Sequence, residues 1–150
     1  MRRNEYDRAI NKYQHRFFDE RFRELSISRA EAPFLRKIYK LGDSVKMNDL
    51  TSEMIFHKSH ATRAINKMEK DGLIIKEKNP DDLRGYVLTL TSLGKETAEK
   101  ADAIIEEWNN LIESIMTDED RKILKNLTKK IYHLLREYYN EEDIIGEDSI

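Results

Sequence analysis

Between His57 and Thr91 the chain gathers residue types that suit binding to a polyanion and lacks those that would run a reaction. From Lys58 to Asp71 there is neither Pro nor Gly, and Ala61, Ala64, Ile65 and Met68 recur at helical spacing. One face of such a helix is buried. The other carries Ser59, His60, Thr62, Arg63, Asn66, Lys67 and Lys70. A guanidinium at Arg63 can donate two bonds to O6 and N7 of guanine in a DNA major groove. Ser59, His60 and Thr62 fall in the first turns, where side chains reach base edges and backbone amides face phosphate. Lys58 and Lys67 suit phosphate, which gives affinity without sequence choice. The plain alternatives are a surface arginine paired with a carboxylate at Arg63 and a local cap at Ser59.

Gly72 supplies a helix stop, because glycine accepts the left-handed conformation that ends many helices. Two β-prone runs follow, Leu73-Ile74-Ile75 and Tyr86 to Thr91, around a turn-rich stretch from Asn79 to Gly85. The expected hairpin carries Lys76, Lys78 and Arg84, so its basic tip suits a groove next to the one the helix enters.

Catalysis finds no support. There is no Gly-rich phosphate loop and no nucleophile elbow, so no enzyme activity and no cofactor are expected. Cysteine is absent, which removes disulfides, thiol redox sensing and cysteine-based zinc sites from this chain. The histidines are His15, His57, His60 and His133. His57 and His60 stand three apart, as metal ligands can, but no further His or Cys clusters near them and no metal is expected.

The elements that must position this stretch are helices. A chain of 150 residues with 5 Gly, 2 Pro and 37% charged residues favours long amphipathic helices over a sheet-rich core. A first helix is expected over 4–25, with Tyr6, Ile10, Tyr13 and Phe17 spaced four, three and four apart and Phe18, Phe22 and Leu25 continuing the stripe. Part of that stripe is expected to cross to a second subunit. Ser28 and Glu31 form a capping-box pattern that predicts a second helix over 29–41, with Pro33 early in it and Phe34, Leu35, Ile38, Tyr39 and Leu41 as its apolar side. A short third helix is expected over 46–55, with Leu50 and Met54 on one face, followed by the turn Ile55-Phe56-His57 into the polar-faced helix. That pair is a helix-turn-helix. Thr91 caps a fifth helix over 92–116, and Thr117 with Asp120 opens a sixth over 118–140. The surplus apolar surface of the last two helices implies a dimer built with the first. Residues 141–150 read as an acidic tail.

Net charge is −2 overall but unevenly placed: residues 57–95 carry +3 and residues 96–150 carry −8. One face could meet phosphate while the other is repelled by it, or the acidic third could be a solvated helical surface. No run of eighteen apolar residues occurs and no apolar signal core follows Met1, so a cytoplasmic location is expected.

This order of elements resembles the MarR (multiple antibiotic resistance regulator) family of transcriptional regulators, over nearly the whole chain. The resemblance rests on Lys58-Ser59-x-x-Thr62-Arg63, on Met68-Glu69-x-x-Gly72-Leu73-Ile74, on Asp82-x-Arg84-Gly85, and on Leu88-x-Leu90-Thr91-x-x-Gly94. Lys46, Ile55 and His57 depart from it, standing where the family often has a Thr or Ser cap, a glycine and an acidic residue. The resemblance implies a mainly α fold with a small β-hairpin wing. The winged helix-turn-helix lobe would span 46–91, with dimerisation helices over 4–41 and 92–140, in one domain of residues 1–150. It further implies a homodimer on a pseudo-palindromic operator in double-stranded DNA, usually as a repressor, and release by a small aromatic effector. Asp82 and Arg84 resemble the wing-tip pair, with Arg84 in the minor groove and Asp82 holding the tip. Tyr13, Phe17, Phe18, Phe34, Tyr39 and Trp108 could line an effector pocket or form core and dimer interface, so no ligand site is assigned. The alternative is a small-molecule-binding or protein-docking winged-helix module without operator recognition.

Overall fold

The computed structural model describes residues 3–52 and 58–142, with backbone alone at residues 3, 4, 52 and 58. The elements are α1 (Arg3–Glu24), α2 (Ala32–Lys40), β1 (Ser44–Lys46), α3 (Met47–Ser52), α4 (Lys58–Lys70), β2 (Ile74–Asn79), β3 (Asp82–Leu90), α5 (Ser92–Glu113) and α6 (Asp118–Tyr139). The fold is mainly α with a small antiparallel sheet, as the sequence implies. Met54 and the turn Ile55-Phe56-His57 lie outside the described residues, as do residues 143–150 of the acidic tail.

The chain divides into two compact units, Met1–Glu106 and Glu107–Ile150. The core of the first is built by short-range pattern. Ala61, Ala64, Ile65 and Met68 are all buried on one face of α4, as their spacing requires. Phe34, Leu35 and Ile38 from α2, Leu50 from α3, Leu88 and Leu90 from β3, and Ala98, Ala101 and Ile104 from α5 complete it. The stripe of α1 divides. Phe22 is buried, and Phe17, Phe18 and Leu25 pack against the core, whereas Tyr6, Ile10 and Tyr13 are exposed.

Two elements differ from expectation. Helix α2 begins at Ala32, three residues later than the capping-box pattern suggests. Glu31 itself occupies the cap position, and its Oε2 accepts the Ser28 N–H at 2.6 Å, the return bond of the expected Ser28–Glu31 box. This shift places Pro33 at the start of the helix, where its missing N–H costs nothing. The second difference is β1. Residues 44–46 pair with β3 in the register Ser44↔Thr89, Val45↔Leu88 and Lys46↔Val87, so the sheet has three strands in the order β1-β3-β2. One apolar residue between two polar ones is too short a signal to announce a strand. With residues 44–46 in the sheet, the third helix starts at Met47.

The second unit holds the end of α5 and the whole of α6. Thr117 and Asp120 form the complete capping box: Asp120 N–H donates to Thr117 Oγ1 at 3.2 Å and Thr117 N–H to Asp120 Oδ2 at 2.9 Å. No residue of α6 is buried, and Leu124, Leu127, Leu134, Leu135 and Tyr138 stay exposed along it. Among the described residues no helix is long and apolar enough to cross a membrane.

Candidate nucleic-acid interface

The polar face of α4 follows from its buried one. At about 100° per residue, Ser59, Arg63, Asn66 and Lys70 stand opposite the buried side, and Thr62 and His60 flank them. Ser59, His60, Thr62, Arg63 and Asn66 are all exposed. The side chain of Lys58 lies outside the described residues, although its backbone opens α4. The helix closes at Gly72, with φ +75°, where Leu73 N–H donates to Met68 O at 2.9 Å and Gly72 N–H to Glu69 O at 3.1 Å. That pair of bonds satisfies carbonyls left open by the last turn and turns the chain directly into β2.

The wing is tighter than its turn-rich sequence suggests. Its strands run to Asn79 and Asp82, leaving only Pro80 and Asp81 between them. Buried Asn79 holds this turn through Oδ1, which accepts Asp81 N–H at 3.0 Å. Pairing then breaks. Asn79 faces Asp82 and Lys78 faces Tyr86, so Leu83, Arg84 and Gly85 have no counterpart on β2. The extra residues bulge from the ladder and carry Arg84 on an exposed loop. Asp82 Oδ1 accepts the Arg84 N–H at 3.0 Å, which pins the backbone of that arginine. Lys78 is exposed nearby on β2.

Lys76 has a different place from the one its charge suggests. Its ammonium donates to Asn66 Oδ1 on α4 at 3.3 Å and sits 4.4 Å from the centroid of the Tyr86 ring. It ties the wing to α4. Lys67 also has internal partners, Glu31 Oε1 at 2.8 Å and Asp71 Oδ2 at 2.6 Å. The Asp71 hydrogen bond, then that of Glu31, raises the Lys67 pKa above its ordinary value. The sequence places Glu31 in a capping box and Asn66 on the polar face of α4, but it gives no sign of their lysine partners. Glu31 looked like a helix cap, and pairs so distant in sequence leave no periodic signal.

The six aromatic residues named as possible pocket lining do not share one environment. Phe34 is fully buried, Tyr13 is exposed, and Phe18 stacks on Phe22 at 5.3 Å between centroids. The Tyr39 hydroxyl donates to Glu99 at 2.9 Å, and that bond raises its pKa. Trp108 belongs to the second unit. Among the described residues no three His, Cys, Asp or Glu side chains gather as a metal site; His57 lies outside them.

Residues 27–86, which span the helix-turn-helix and most of the wing, match the model of the MarR family. Over these residues the chain is similar to the MarR family. The HTH-type transcriptional regulator BilQ of Clostridioides difficile is 37% identical over 82 residues, which cover 54% of this chain and 55% of that protein. The match thus spans about half the length of that curated relative. The MarR-like fold extends further. The Staphylococcus aureus MepR–DNA complex superposes with a TM-score of 0.80 at 20% identity, covering 89% of this chain and 98% of MepR. The organohalide-sensing regulator RdhR in its 2,4-dichlorophenol-bound form gives 0.71 at 26% identity, over 85% and 78%.

Proposed function

We propose that this chain is a sequence-specific DNA-binding transcriptional regulator of the MarR family that acts in the cytoplasm as a homodimer on a pseudo-palindromic operator. The observation that carries the reading is the pairing of two exposed features on one unit. These are the polar face of α4, with Ser59, Thr62 and Arg63, and the bulged wing loop that lifts Arg84 beside a bonded Asp82. A helix of this diameter fits a major groove, and an arginine on a narrow loop suits the negative potential of a minor groove. Arg63 reads bases. Ser59, His60 and Thr62 contact base edges or phosphate, Lys58 binds phosphate, and Asp82 holds the tip.

The exposed apolar stripes of α1 and α6 support the homodimer. Two copies would put their α4 helices in successive major grooves about 34–36 Å apart. Repression, with release by a small aromatic effector, is the outcome we favour, since RdhR was captured with a chlorophenol. The test is a titration of a duplex from the protein's own upstream region at several salt concentrations. Binding that loses orders of magnitude between low and moderate salt is expected, because several phosphates are neutralised. A flat salt response would sink direct DNA binding and leave a docking or small-molecule module.

A further inference from the structure

We infer that Lys67 is a positioning residue rather than a phosphate ligand: with Glu31 and Asp71 it forms a clamp that sets the orientation of α4, and with it the aim of Arg63. The inference rests on α4 being the helix that reads DNA.

The first ground is where the ammonium sits. Lys67 Nζ lies 2.8 Å from Glu31 Oε1 and 2.6 Å from Asp71 Oδ2. Two carboxylates and one ammonium leave this trio with a net negative charge. A phosphate approaching Lys67 would meet that charge at close range.

The second ground is burial. Glu31 is 1% exposed, at the cap position of α2. One of its oxygens is occupied by the Ser28 N–H, and the other faces Lys67. A buried carboxylate stripped of its cation is strongly unfavourable. The pair therefore holds only while α4 keeps the rotation and height that bring Lys67 to Glu31.

The third ground is the flank Lys67 occupies. At about 100° per residue it stands toward the buried Ala64 edge, and Asn66 stands toward the opposite flank. Asn66 is held from the wing by Lys76. Helix α4 is thus braced on one side by α2 and on the other by β2, with Arg63 on the exposed face between the braces. Asp71, one residue past the end of α4, completes the clamp.

The test uses the full chain and two duplexes, one selected by the wild-type protein from a random-sequence pool and one of the same composition with its order shuffled. Lys67→Gln is expected to weaken binding to the selected duplex at least tenfold and leave the shuffled duplex unchanged. The slope of log affinity against log salt should also stay unchanged. Lys67→Arg, which keeps the charge, should restore most of the selectivity. Glu31→Gln keeps the Ser28 bond and the side-chain shape, so it folds, and it should also weaken the selected duplex, with the double variant no worse than either single one.

A phosphate ligand behaves otherwise. Lys67→Gln would then weaken both duplexes alike and lower the salt slope by about 0.9, and Glu31→Gln would tighten binding by removing a negative charge. Either result overturns the clamp. A wild-type protein that enriches no sequence from the pool overturns the reading of α4 itself, which separates the two failures.

Discussion

Gly94 of α5 packs directly on the Leu73 carbonyl, so closely that a Cβ at position 94 would overlap the oxygen. The contact belongs to a knot where α4, the wing and α5 meet. Thr91 Oγ1 donates to Gly72 O at 2.6 Å and accepts Gly94 N–H at 3.0 Å, and Thr91 N–H donates to Leu73 O at 3.0 Å. The first turn of α5 is therefore capped against the residue that opens the wing. Gly94→Ala cannot be absorbed by a flexible side chain, because the obstacle is backbone. It is expected to destabilise by about 1–3 kcal/mol or more, read as a lowered urea midpoint. An unchanged midpoint would mean that α5 can shift away from Leu73 at no cost.

That knot also illustrates what the sequence could convey. Thr91-x-x-Gly94 stands out as a family-like motif and as a helix start, yet nothing in the letters says that the glycine is there for a carbonyl twenty-one residues earlier. Local patterns were legible: the buried face of α4, the stop at Gly72, the Thr117–Asp120 box and the exposed polar row around Arg63. Lost were features set by partners far along the chain. Strand β1 exists because Val45 finds Leu88, and the capping-box glutamate at Glu31 turns to Lys67. The wing was seen as basic, but its three-residue bulge depends on the register Lys78↔Tyr86, which only pairing reveals.

Arg84 is exposed on the bulge, and its backbone is pinned by Asp82. Arg84→Ala should therefore weaken operator binding by about 1–3 kcal/mol, roughly five- to 150-fold, with helix content and melting temperature unchanged. Asp82→Ala should weaken binding less and leave the Arg84→Ala background almost unaffected, since it acts through that arginine. Fluorescence anisotropy on the four proteins of this cycle checks both points. Additive losses would mean that Asp82 contacts DNA by itself.

Arg63 differs from Arg84 in what it should discriminate. A bidentate contact to guanine is worth about 1–3 kcal/mol against the wrong base. Arg63→Ala is expected to flatten the preference at one operator position per half-site, with the other positions retained. Binding measured on a panel of single-base variants of the selected duplex reads this directly. A uniform loss across the panel would reassign Arg63 to phosphate.

The Lys67 clamp has a pH signature. The Asp71 and Glu31 bonds raise the ammonium pKa in the folded chain above its unfolded value of about 10.4. A group shifted in this direction contributes its full stability below the unfolded value and loses it as pH rises through the folded one. Wild type should therefore be more stable than Lys67→Gln at pH 8, and that advantage should shrink above about pH 10.4. Urea midpoints for both proteins across this window provide the check. A constant difference would show that the ion pair is not what stabilises wild type.

Helix α6 sets the strongest demand for a second chain. It contributes no buried residue, yet Leu124, Leu127, Leu134, Leu135 and Tyr138 line it at spacings of three, seven, one and three, with Ile123 alongside. Leu134 is 65% exposed and Tyr138 is 79% exposed. A stripe of this length in water invites self-association. Burying one leucine is worth about 1.5–3 kcal/mol, and a two-fold interface counts each position twice. Replacing Leu127 and Leu134 together by Asp should therefore raise the dimer dissociation constant by roughly ten-thousandfold or more, from four leucines at the lower end of that range. Sedimentation at micromolar concentration should give a dimer for wild type and a monomer for the double variant. The variant should keep the first unit folded, since neither leucine lies in it. It should also bind the operator weakly, because a single α4 reads only one half-site. A wild-type chain that sediments as a monomer would require another cover for α6 and would remove the two-fold operator from the proposal.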